Sequence, residues 1–294
     1  MSRLFSVLLV LSLSLFPALA QVTTGAVLGT VQDSTGAVLP GVEVTATNLD
    51  TGITRTAIAS DEGTYRLTNL SLGNYEVSAS LPGFSTEVRT GIELTIGRRA
   101  VVDFTLSVGE ISERVTVTGE APLVETTSGS LGDLVDRRTV LALPLNGRDM
   151  TDLLTLQAGT ANVSTANSNN ASRGYSQKVS ISGSRPNDVG VLLDGTEVKG
   201  LDQSVPSGVS GNFIGAEAIQ EFKIERNSYT AQYGGASGGI INVVTKAGTN
   251  VFHGSVYNFH RNDNLDSKDF RADEKGEFKR NQFGGMISGP LVRG

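Results

Sequence analysis

The chain predicts a mainly β protein with a mixed α/β part: a β-sandwich, then a glycine-rich α/β domain, then the first one or two strands of an incomplete β-barrel. Three observations carry that prediction. Over roughly the first hundred residues, short alternating apolar and polar runs are separated by turn residues about every 8–12 positions. Glycine reaches 35 of 294 residues, above the ~7% norm, while aromatic residues make up only 6%, which favours short strands and turns over helices. The third is a pair of aromatic-bearing strand patterns after residue 250.

Residues 1–20 fit a secretory leader. Arg3 supplies the positive start, residues 4–16 form an apolar run broken only by serines, and Ala18-Leu19-Ala20 is a small-x-small cleavage site. That run of about 13 residues is shorter than the ~20 a spanning helix needs, so the mature chain is expected to start at Gln21. A hydrophobic content of 38% is low for one large core, and the length fits about two domains. With no cysteine, an exported chain cannot rely on disulfides. A net charge of -6 leaves no basic footprint, so nucleic acid is not expected as a partner.

Residues 21–108 read as the sandwich. Strand-like runs at 27–32, 42–47, 53–59, 64–67, 75–80, 92–96 and 100–106 are divided by turn chemistry such as Asp33-Ser34-Thr35-Gly36 and Asp61-Glu62-Gly63. About seven alternating strands with these turns indicate two packed sheets. The segments Gly36-Ala37-Val38-Leu39-Pro40-Gly41-Val42, Gly63-Thr64-Tyr65-Arg66-Leu67, Gly73-Asn74-Tyr75 and Pro82-Gly83-Phe84 resemble the carboxypeptidase regulatory-like domain, which implies a transthyretin-like sandwich. Zinc peptidase chemistry is not expected with it, because residues 21–250 contain no histidine to serve as a ligand. Carbohydrate binding stays an expectation from fold analogy alone.

Residues 109–121 read as an extended linker. Within it Glu113, Arg114, Val115, Thr116, Val117 and Thr118 alternate β-branched with polar side chains. This run resembles the TonB box of TonB-dependent receptors, which implies capture by the inner-membrane energy transducer through strand addition. An ordinary linker or an extra strand of the sandwich fits the same residues.

Residues 122–250 read as a mixed α/β domain. Asp136 is placed to cap a helix over 137–143, and Asn146 a second over 148–157. Strands are expected at 178–182, 189–193, 221–225 and 239–245, with Asp194-Gly195 as a tight hairpin turn. Residues 161–174, rich in Asn, Ser and Thr, read as a mobile loop. The motifs Leu143-Pro144-Leu145-Asn146-Gly147-Arg148, Ile181-Ser182-Gly183-Ser184-Arg185-Pro186, Leu192-Leu193-Asp194-Gly195 and Tyr233-Gly234-Gly235-Ala236-Ser237-Gly238-Gly239 resemble the plug of TonB-dependent receptors. With the sandwich ahead of them they point to the Oar-like subgroup. The resemblance implies that Arg148 and Arg185 pair with carboxylates on a barrel wall. The glycine run lacks both phosphate-loop spacings, so nucleotide binding is not expected.

Residues 251–294 carry two candidate barrel strands, about 251–260 and 278–289, around a charged loop. His253 and His260, seven apart on a strand, face opposite sides and make no metal pair. A large transporter barrel uses ~22 strands, so the resemblance implies the amino-terminal portion of a receptor truncated early in its barrel, with an outer-membrane location and an unassigned extracellular ligand, oligosaccharide or protein among the candidates. A freestanding secreted or periplasmic sandwich binding protein is the competing class. No nucleophile–base or metal constellation supports an enzyme, and no cofactor is implied.

Overall fold

In the computed structural model, the described residues are 24–291 apart from 110–113, 119–130, 143–150, 164–174, 199–204, 207–214, 228–232, 234–235, 266 and 269–272. The leader therefore lies outside the described residues, as do Asn146 and Arg148.

The amino-terminal unit has strands β1 (Gly25–Asp33), β2 (Glu43–Asn48), β3 (Thr54–Ile58), β4 (Thr64–Leu70), β5 (Gly73–Ser80), β6 (Thr86–Leu94), β7 (Arg99–Val101) and β8 (Phe104–Leu106). Strand β9 (Arg114–Thr118) joins the same unit. One sheet sets β1 between β4 and the β7/β8 pair; the other runs β3-β2-β5-β6-β9. Alternation does the work expected of it. Val44, Ala46, Val77, Ala79 and Tyr75 turn inward with Val27, Val31, Tyr65, Leu67 and Phe104 from the facing sheet, and their neighbours face water. The Tyr65 hydroxyl is satisfied in this core by donating to the Val102 carbonyl at 2.6 Å.

The run expected as one strand over 100–106 is two. Val102 donates to Leu28 O at 2.8 Å, and the Asp103 carboxylate accepts from Thr30 N at 2.8 Å and Thr30 Oγ1 at 2.9 Å. These bonds break the ladder between β7 and β8 while keeping both on β1.

The second unit comprises β10 (Leu131–Val135), α1 (Arg137–Ala142), α2 (Thr151–Leu154), β11 (Thr160–Asn162), β12 (Tyr175–Gln177), β13 (Val179–Ile181), β14 (Val189–Leu193), β15 (Thr196–Glu197), β16 (Val205–Pro206), β17 (Ile219–Asn227) and β18 (Gly239–Thr245). Its sheet order is β10-β17-β18-β14-β15, with β14 and β18 parallel. Those two strands are buried almost without interruption, as a parallel pair covered on both faces requires. Phe222, Ile224, Val140, Leu153 and Leu154 complete the core.

Three expectations change here. The second helix stops at Leu154, because the Thr160 hydroxyl donates to the Leu154 and Gln157 carbonyls and Gly159 turns the chain at φ 76°. Residues 161–162, expected as loop, belong to strand β11, paired with β13, while 164–174 lie outside the described residues. Strand β10 was not expected at all. The Asp136 cap does form, with the Thr139 N–H donating to its Oδ1 at 2.9 Å.

Finally β19 (His253–Asn262) and β20 (Lys279–Ser288) make an antiparallel hairpin in unbroken register from His253↔Ser288 to Asn262↔Lys279. Among the described residues no helix is long and apolar enough to cross a membrane.

Candidate functional site

The segment singled out by its alternation is strand β9. It lies parallel to β6, pairing Thr86↔Arg114, Glu87↔Val115, Val88↔Thr116, Arg89↔Val117 and Thr90↔Thr118. Glu113 falls outside the described residues. The β6 edge beneath it is held firmly. Glu87, largely buried, accepts from the Thr105 N–H at 2.9 Å and pairs with Arg89 at 2.8 Å, while Arg89 Nη2 donates to Asp103 O at 3.3 Å. Glu87 and Arg89 thus offset one another's charge at this corner, while Arg89 Nε is buried with no hydrogen-bond partner.

The sandwich rests on the α/β unit through a tight turn. The Ile96 N–H donates to Glu221 Oε1 at 2.5 Å, and Glu221 on β17 is only 5% exposed. Burial pushes the Glu221 carboxyl up to about 7; Glu93 and Asp136 add to the rise, while the Ile96 N–H and Lys223 oppose it. Asn250 closes the junction from the other side, its N–H donating to Asp50 O at 3.0 Å and its Nδ2 to Thr51 O at 2.7 Å. Between these contacts lies a cleft of about 320 Å³ lined by Asp50, Thr51, Ser71, Asp194, Thr245 and Lys246.

Within the α/β unit the sequence motifs have local causes. Asp194 and Gly195 both take positive φ, 48° and 82°, which closes a two-residue turn between β14 and β15. The Asp194 carboxylate then reaches β18, where Oδ1 accepts from Thr245 N at 2.9 Å and Oδ2 from Thr245 Oγ1 at 2.8 Å. Gly238 sits directly against Ser184, whose Oγ donates to Gly238 O at 3.3 Å, so a side chain at 238 has no room. The two glycine-containing motifs are thus two halves of one contact.

Arg185, expected to face a barrel wall, is exposed at the start of the 3-10 turn Pro186–Asp188. Among the described residues, a contact to the terminal hairpin runs through Lys246. Its ammonium donates to Glu217 O and stands 3.4 Å from Met286 Sδ on β20. Burial lowers it to about 8, with Arg137 acting in the same direction and Glu217 opposing. Sequence reasoning missed Lys246 and Glu221, since nothing in the local pattern marks a charged residue as buried. The hairpin has two unlike faces. Tyr257, Phe259 and Met286 share the half-buried one, and Val256, Phe283 and Ile287 the other at 92%, 80% and 83% exposure. Among the described residues no cluster of His, Cys, Asp or Glu could hold a metal ion.

Comparison with known families matches the Carboxypeptidase regulatory-like domain to residues 26–107 and the TonB-dependent Receptor Plug Domain to residues 134–240. Residues 134–240 thus match a TonB-dependent receptor plug domain. The Outer membrane beta barrel domain follows directly at residues 244–294, so plug and barrel elements stand in the order of that family, and the chain belongs at the cell outer membrane. The TonB-dependent transporter Oar of Myxococcus xanthus is 27% identical over 80% of this chain and 22% of its own length. The probable TonB-dependent siderophore receptor PirA of Acinetobacter baumannii is 32% identical over 62% of this chain and 23% of its own. The ferrienterobactin receptor of Escherichia coli is 31% identical over 43% and 17% respectively. The chain therefore spans about a fifth of the length of these relatives, all of them receptors or transporters by name. The crystal structure of the Acinetobacter baumannii PirA receptor aligns with 57% of this chain and 24% of that one, at 26% identity and a TM-score of 0.43. The plug match falls within the β10–β18 unit, with Lys246 contacting the terminal hairpin and Glu221 the sandwich.

Proposed function

We propose that this chain forms the amino-terminal part of a TonB-dependent outer-membrane receptor in which the plug gates ligand passage. Residues Glu113, Arg114, Val115, Thr116, Val117 and Thr118 engage the inner-membrane energy transducer. The observation that carries the reading is order: an extended strand at 114–118 precedes the domain matched to the plug family at 134–240, and a hairpin matched to the barrel family follows. Strand addition needs a segment whose backbone N–H and C=O groups can pair along one edge, and β9 already adopts that extended form. Arg148 and Arg185 are proposed as partners for carboxylates on the wall of a complete barrel. Domain bounds are proposed at 21–108 for the sandwich, 109–121 for the connecting segment whose residues 114–118 add strand β9 to the sandwich sheet, 122–250 for the plug and 251–294 for the start of the barrel.

The test is direct titration of the transducer's carboxy-terminal domain with a peptide covering residues 109–121. Binding is expected, and Val117→Pro, which deletes a ladder donor, should weaken it at least tenfold. No binding of the unaltered peptide would sink the transducer reading.

A further inference from the structure

We propose that the sandwich is a hinged clamp on the α/β unit: the turn at residues 95–98 latches onto Glu221, Asn250 pins the opposite side, and ionisation of Glu221 opens the latch. The two contacts differ in kind. At the pin, the Asn250 N–H donates to Asp50 O and its Nδ2 to Thr51 O, bonds between neutral groups that do not titrate. At the latch, the Ile96 N–H meets one buried titratable group, the Glu221 carboxyl. Gly97 of the same turn, at φ 66°, closes over the neighbouring position, where Lys223 Nζ lies 3.9 Å from where a Cβ on Gly97 would stand. The charged groups that face Glu221 come from three elements. Glu93 near the end of β6 and Asp136 ahead of α1 disfavour its negative charge, while Lys223 on its own strand, paired with Glu225 at 3.2 Å, favours it.

Closed, the clamp keeps the carboxyl neutral up to about pH 7; open, the carboxyl meets water and titrates at its ordinary 4.5. The closed form therefore holds the proton more tightly than the open one. Its advantage is complete below pH 4.5, declines as pH rises, and is gone above about 7. Opening uncovers the cleft between the two contacts, whose wall includes Thr245 and Lys246, where the α/β unit runs on toward the hairpin.

The chain has no cysteine, so spin labels at two exposed positions, Glu62→Cys and Leu156→Cys, report the distance between sandwich and α/β unit in the full chain. Double electron–electron resonance at pH 5 should give one distance population, and by pH 8 a second, displaced population should have grown at least tenfold. In the same labelled chain Glu221→Gln should stay closed at pH 8. Asn250→Ala should be more open than the parent at both pH values while keeping the pH dependence. An unchanged distribution in the parent, or equal opening in Glu221→Gln, would overturn the clamp, as would an Asn250→Ala chain indistinguishable from the parent. Should Glu221→Gln fail to fold, the surface variant Glu93→Gln gives the second reading. By relieving part of the repulsion on ionised Glu221 it should lower the open fraction at pH 8, and an unchanged fraction would count against the latch.

Discussion

At the residue scale, Glu221 sets a condition on the junction between sandwich and plug. A carboxyl at 5% exposure is stabilised in its neutral form, and its pKa rises from 4.5 to about 7. Because the folded state then holds the proton more tightly than the unfolded chain, this contribution to stability is complete below pH 4.5, declines as pH rises, and is gone above about 7. Glu221→Gln keeps an oxygen to accept from Ile96 and removes the titration. Thermal melts from pH 5 to pH 8 should show a flatter profile for the variant, with a gain at pH 8 of up to about 3 kcal/mol. A variant whose melting temperature follows the same pH curve as the parent would refute the assignment. Asp194 contributes through hydrogen bonds, accepting from both the N–H and the hydroxyl of Thr245. Asp194→Ala should lower stability by about 1–3 kcal/mol, read by urea denaturation.

At the scale of elements, glycine placement explains why plug strands meet as they do. A methyl group at Gly238 would collide with Ser184, the residue that ends the β13 turn. Gly238→Ala should therefore destabilise the plug by about 1–3 kcal/mol, and Ser184→Gly in the same chain should recover part of that loss. Circular dichroism melts of the single and double variants check both. The strands of the sandwich and the buried pair β14/β18 were legible in sequence because alternation and continuous apolar runs are local signals. Strand β10 was not legible. Leu131–Val135 contains Gly132 and Asp133, and it is held as a strand by pairing with β17 and by the Asp133–Arg226 ion pair at 3.1 Å, a partner nearly a hundred residues away. The second helix was overextended for a similar reason: its leucine spacing continues past Leu154, but the Thr160 hydroxyl captures the terminal carbonyls.

At the scale of the whole molecule, the terminal hairpin presents Val256, Phe283 and Ile287 on one exposed face. An apolar strand face of this kind suits lipid or detergent rather than water. Replacing all three by serine should abolish detergent-micelle binding of the chain, measured by sedimentation with and without detergent; undiminished binding would mean that another surface carries it. Sandwich, plug motifs and barrel onset were readable as an ordered series, because each rests on composition, turn residues or period over a short window. Long-range partners were not readable. The burial of Glu221 against Ile96, the seating of Lys246 between Glu217 and Met286, and the docking of residues 114–118 on β6 depend on surfaces contributed by segments far apart in the chain. A local pattern can specify that a strand forms and which way its side chains alternate. Only the assembled sheets decide which edge that strand occupies and which charges lose their water.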